Sequence, residues 1–73
     1  MENKEKYYLA LAENKGRLNE IDLGEILGFE AGVTRQLIAQ LMAEHRIEYF
    51  KNDTCHYRIM KRVKASNWAA NLE

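Results

Sequence analysis

Seventy-three residues, 47% of them hydrophobic and 30% charged, are enough for one small folded domain and lie far from a disordered composition. The formal net charge of zero argues against a strong nonspecific grip on nucleic acid. The single cysteine excludes an internal disulfide, and no apolar run approaches the roughly 18 residues of a membrane span.

A chain of this size buries only roughly 60% of its unfolded surface, so its stability is marginal unless a partner adds to the core. The opening MENKEKYY is too polar for a signal peptide, and a cytoplasmic, bacterial-type protein is the expectation. Charge is unevenly placed. Residues 1–30 hold seven acids against four bases, residues 31–50 balance at two each, and residues 51–67 hold five bases against Asp53 alone. The front is acidic and the back basic.

The stretch KEKYYLALAEN puts Tyr7, Tyr8, Leu11 and Ala12 on one stripe at helical spacing. Asn14 to Gly16 ends this helix, since glycine accepts the left-handed backbone of a C-cap. A second helix is expected from Asn19 as N-cap, with Asp22 as an imperfect capping-box partner. Leu23, Ile26 and Leu27 supply its buried face and Gly28 stops it. Gly24 costs about 1 kcal/mol of helix propensity relative to alanine, and its expected role is to let another helix approach closely. Glu20, Asp22 and Glu25 are expected on the exposed face.

A third helix is expected from about Ala31 to Glu44, burying Thr34, Leu37, Ile38 and Leu41 at i, i+3, i+4, i+7 spacing. After His45 the period changes from helix to strand. RIEYFKNDTCHYRIM reads as two short strands around KNDT, with Ile47 and Tyr49, then Cys55, Tyr57 and Ile59, alternating inward. Asn52 and Asp53 tolerate the backbone of a hairpin turn. The tail KRVKASNWAANLE is expected to form a short helix capped by Ser66, with Val63, Trp68, Ala69 and Leu72 as apolar contacts. Its last two residues, Leu72 and Glu73, fit either the end of that helix or a cloning remnant. The fold class expected is therefore mainly α with a small β-hairpin: a domain over 1–60 and a basic C-terminal segment over 61–73.

Helix, helix, turn, helix and hairpin, with LGFEAGVTRQLIAQLMAEHRIEYF running without a gap, resembles a winged helix-turn-helix domain. Gly28 and Phe29 fall at the turn, Thr34, Ile38 and Leu41 in the core of the recognition helix, and Arg46-Ile47 at the start of the wing. CHYRI resembles the returning wing strand, where an aromatic residue followed by arginine is frequent. The resemblance covers about residues 5–60 and is nearest to the small bacterial regulators of the MarR-like and ArsR-like kind. Two positions depart from the pattern. Glu30 stands where serine or threonine usually caps the recognition helix, and His45 stands where a glycine usually precedes the wing.

The resemblance implies a DNA-binding transcriptional regulator whose third helix enters the major groove, which an α-helix just fits. On that helix Arg35 can fork onto guanine O6 and N7, and Gln36 or Gln40 can pair with adenine N6 and N7. Ala31, Gly32 and Ala39 are small enough to let the helix sink toward the bases. Lys51, His56 and Arg58 of the wing, and Lys61, Arg62 and Lys64 of the tail, are the candidates for phosphate contact. The competing account is structural: Arg and Gln are good helix formers on a solvated face, and charged residues protect a strand edge from aggregation.

Tyr7, Tyr8 and Trp68 are expected at a homodimer surface, since paired copies reading two half-sites would offset weak single-copy binding. Stacking of these aromatics on bases is the alternative. No enzyme is expected. Cys55 and His56 are sequence neighbours on a strand and point to opposite faces, so they cannot form a nucleophile–base pair. His45 and His56 lack metal-site spacing and carboxylate companions, so neither metal nor cofactor is expected. Cys55 is read as a small buried core residue. Zero net charge and Glu30 keep a second function open, a winged-helix module that binds another protein without binding DNA.

Overall fold

The computed structural model describes residues 2–60. The expected tail helix, Lys61, Arg62, Lys64 and Trp68 lie outside the described residues. Three helices precede a two-stranded hairpin, in the expected order: α1 (Asn3–Asn14), α2 (Glu20–Ile26), α3 (Ala31–Ala43), β1 (Ile47–Tyr49) and β2 (Tyr57–Ile59). None of the described helices is long and apolar enough to cross a membrane.

Three of the helix ends have a cause visible in the sequence. Asn19 caps α2 by accepting from the Ile21 amide at 2.8 Å. At its far end Gly28, at φ +92°, turns the chain left-handed. The Gly28 amide then reaches the Glu25 carbonyl at 2.9 Å and the Phe29 amide the Gly24 carbonyl at 2.9 Å. That is a Schellman motif, and Phe29 is the apolar residue it turns into the core. α3 ends the same way with His45 at φ +60°: His45 N–H bonds Met42 O and Arg46 N–H bonds Leu41 O, each at 2.9 Å. The histidine at the usual glycine position thus adopts the backbone that glycine would.

Asn14 stitches the α1–α2 connection. Its side chain is buried, donates to the Leu18 carbonyl at 2.9 Å and accepts from the Leu18 amide at 3.0 Å. One amide therefore satisfies both backbone groups of Leu18, as a neighbouring strand would.

The core joins Tyr7 and Leu11 of α1, Leu23 of α2, Phe29, then Leu37, Ile38 and Leu41 of α3, closed by Ile47 and Cys55. Each such apolar side chain contributes about 1.5–3 kcal/mol on burial. The hairpin pairs Ile47 with Ile59, Glu48 with Arg58 and Tyr49 with Tyr57. At the rim, Arg46 makes a two-pronged bond to Glu5, one prong at 2.9 Å, and lays its guanidinium 4.2 Å from the Tyr8 ring centre. Lys4 pairs with Glu44 beside it. These contacts tie the start of α1 to the end of α3.

Four expectations need correction. Tyr7 has no exposed surface, and its hydroxyl donates to the Glu20 carbonyl at 2.9 Å, so it is a core residue and offers nothing to a second copy. Ile26 is 69% exposed, because α2 ends there and Phe29 takes the inward place. Tyr49 is 59% exposed: it shares the face of Ile47, but the core does not extend under the end of β1. The hairpin loop is also longer than KNDT, since β2 begins at Tyr57 rather than at Cys55.

Gly24 behaves as expected. A Cβ there would lie 2.0 Å from Thr34 Oγ1 and 3.0 Å from Thr34 Cβ, so α2 and α3 touch backbone to side chain at this point. Gly24→Ala should lower the unfolding free energy by about 2–3 kcal/mol in urea titration, and Thr34→Ala in the same chain should restore more than half of that. An alanine at position 24 that leaves the urea midpoint unchanged would show that the helices have room to separate.

Candidate nucleic-acid interface

With Thr34, Leu37, Ile38 and Leu41 buried, the outward face of α3 is composed of Gly32, Val33, Arg35, Gln36, Ala39, Gln40, Met42 and Ala43. This face holds one cation, two amides and no acid. Arg35, Gln36 and Gln40 are all exposed, and Arg35 has no carboxylate partner among the described residues. Glu30 caps the helix without a side-chain hydrogen bond, so its carboxylate remains free at the end that faces outward. The α3 amides there donate no hydrogen bond to it.

The hairpin is arranged differently. Arg58 donates to Glu48 Oε2 at 2.7 Å across the strand pair and lies 4.1 Å from the Phe50 ring centre. His56 belongs to α2 as much as to the hairpin: its backbone amide donates to Glu20 Oε1 at 3.0 Å, and its Nδ1 sits 3.2 Å from Glu20 Oε2. An ionised carboxylate only accepts, so Nδ1 carries the proton in this contact. Asn19 adds a third tie by donating to the Thr54 carbonyl at 3.2 Å. Of the three candidate wing cations, Lys51 alone is exposed and without an ion pair among the described residues.

Glu20 corrects an expectation. Its side chain is only 13% exposed and anchors the hairpin loop to α2, rather than decorating a solvated face. Burial alone pushes its carboxyl up, but the His56 amide, hydrogen bonding at its own backbone and the His56 ring outweigh this and hold it below the ordinary range. No local signal in the sequence marks the pair, which is separated by 36 residues. Of the aromatics expected at a dimer surface, Tyr8 is half-buried beneath Arg46. Cys55 is buried, and burial pushes its thiol up, away from the reactive thiolate.

Arg35 and Glu20 both line a half-open hollow of about 290 Å³ between α3, the start of α2 and Tyr57. A second hollow of about 280 Å³ lies between the end of α1 and the hairpin, with Lys15 and Arg58 at its rim. Among the described residues, no group of three His, Cys, Asp or Glu side chains is placed to hold a metal ion.

The Glu20 contact has a pH consequence. Because its folded pKa is lowered, the stability it contributes is complete above the usual carboxylate value of 4.5 and is lost as pH falls through the lower, folded value. Glu20→Gln should therefore flatten the loss of stability between about pH 6 and about pH 3, with the remainder carried by Glu5 and Glu44, which Arg46 and Lys4 also hold low. Urea midpoints across that range check it; identical slopes in wild type and variant would remove Glu20 from the acid response.

Comparisons with protein-family models, with curated proteins and with solved structures find no match to this chain.

Proposed function

We propose that the protein binds duplex DNA as a small regulator, with α3 in the major groove. The observation that carries this reading is the outer face of α3: an Arg35 left without a described partner, flanked by Gln36 and Gln40, among Gly32 and Ala39, with no acid between Ala31 and Ala43. Lys4, Arg46 and Arg58, by contrast, are each paired with an acid. A forked guanidinium and two amides are the donors and acceptors that distinguish guanine and adenine in that groove.

Phosphate contact falls to Lys51 and to the tail bases Lys61, Arg62 and Lys64. His56 and Arg58 take part only by exchanging Glu20 and Glu48 for phosphate oxygens. A pair of copies on half-sites about 34–36 Å apart would multiply the modest affinity of one. A specific observation also favours the second reading, a protein-binding module: Ile26 places a large apolar side chain in solvent on the acidic face of α2, beside Glu25 and Asp22.

Binding to random-sequence duplex at about 50 mM salt, repeated at about 200 mM, separates the two. On a logarithmic plot of affinity against salt, each phosphate that these cations neutralise adds about one unit of downward slope, and Lys61→Ala/Arg62→Ala makes the slope shallower by roughly 2. Arg35→Ala should weaken binding to a selected site by about 1–3 kcal/mol while leaving the slope almost unchanged. No binding by the wild type at the lower salt would end this reading and leave the protein-binding module.

A further inference from the structure

The hollow beside α3 carries features that nucleic-acid contact does not use. Its floor and walls are apolar: Ile21 of α2, Ile38, Ala39 and Met42 of α3, and Tyr57 of β2. Two opposite charges line it, Arg35 and Glu20, yet no ion pair joins them. Its volume of about 290 Å³ sits at the lower edge of ligand pockets, which run from about 300 to 1,000 Å³, so an occupant must be small.

We propose that this hollow binds a free α-amino acid with an apolar side chain. Arg35 takes the carboxylate through its planar fork, Glu20 takes the ammonium, and the side chain lies against Ile21, Ile38, Ala39, Met42 and Tyr57. A carboxylate offers about four acceptor positions; on Glu20 the His56 amide takes one on Oε1, the His56 ring nitrogen is shared between Oε1 and Oε2, and Glu20's own backbone amide adds a contact, so one position is left for the ammonium. Glu20 is also ionised at neutral pH, since its carboxyl is held below the ordinary range. The pairing of charges selects the ligand class. A phosphate or a simple carboxylate would meet the Glu20 anion, and a simple amine would meet the Arg35 cation, each without compensation. A zwitterion satisfies both.

One consequence rests on the DNA-binding reading: Arg35 would serve both ligands, so the amino acid and the duplex would exclude one another. The site itself does not depend on that reading and is tested without DNA. Backbone amide shifts of the full chain are followed while L-leucine, L-methionine or L-phenylalanine is added to about 10 mM, with 4-methylpentanoate and 3-methylbutylamine as the probes that each lack one charge.

The expected result is saturable shifts at Ile21, Arg35, Ile38, Ala39, Met42 and Tyr57 with the amino acids, and binding weaker by about tenfold or more with either single-charge probe. Ala39→Leu, a good helix former at an exposed position, should keep the fold and abolish the shifts by filling the hollow. Arg35→Ala should weaken L-leucine by about tenfold and leave the amine no weaker, since it removes the cation that opposes it. Equal binding of L-leucine and 4-methylpentanoate, persistence in Ala39→Leu, or no shift with any amino acid would each overturn the proposal. Amino-acid binding in a chain that fails to bind DNA would leave the site standing and remove only the competition.

Discussion

The contact between Gly24 and Thr34 sets the distance between α2 and α3, and most of the surface geometry follows from it. Any side chain larger than hydrogen at position 24 would enter the space of the Thr34 hydroxyl. That hydroxyl has no hydrogen-bond partner within the described structure, although it is buried. An unsatisfied hydroxyl costs about 1–3 kcal/mol, which a tight interface offsets through dispersion contacts and burial of Leu23, Leu37 and Ile38 around it. With Thr34 pinned, the rotation of α3 about its axis is fixed. Arg35, Gln36, Ala39 and Gln40 then have no inward option.

Glu20 performs the corresponding task for the hairpin. It stands one residue after the Asn19 cap, and the two side chains hold Thr54 and His56 on the far side of the loop. The backbone carbonyl of Glu20 meanwhile accepts from Tyr7. A single position thus links α1, α2 and the loop before β2. The loop folds back toward the α1–α2 turn, where a Cβ on Gly16 would come within 3.0 Å of Asn52 Nδ2. A hairpin held this way is a packed part of the domain, and its cations are partly committed before any ligand arrives.

What could be read in the sequence was whatever depends on local spacing. The inward stripe of α3, the Asn19 cap, the Gly28 stop and the close approach at Gly24 all follow from periodicity or from a residue's own backbone preference. What could not be read depends on where the core ends. Ile26 fits the helical stripe of α2, but the Schellman turn rotates the chain and Phe29 fills the space instead. Tyr49 alternates onto the same face as Ile47 and still lies beyond the core. Tyr7 and Glu20 depart from expectation together, because the hydrogen bond that buries Tyr7 and the His56 contact that buries Glu20 both join distant parts of the chain. At the candidate interface, the composition of the α3 face was legible, whereas the contacts of His56 with Glu20 and of Arg58 with Glu48 were not.

That difference decides how a neutral chain could recognise DNA. An exposed pair such as Glu48–Arg58 is worth about 0–1 kcal/mol, so Arg58 could exchange its carboxylate for a phosphate at small cost. His56 is tied more deeply, through its backbone amide as well as its ring, and releasing it would detach the loop from α2. On the DNA-binding reading, phosphate contacts would then be few and nonspecific affinity low, since that affinity grows with each neutralised phosphate. Base contacts keep their full value of about 1–3 kcal/mol each under the same conditions. A domain built this way would trade overall affinity for a larger ratio of specific to nonspecific binding, and a second copy on an adjacent half-site would raise the affinity without adding net charge to either.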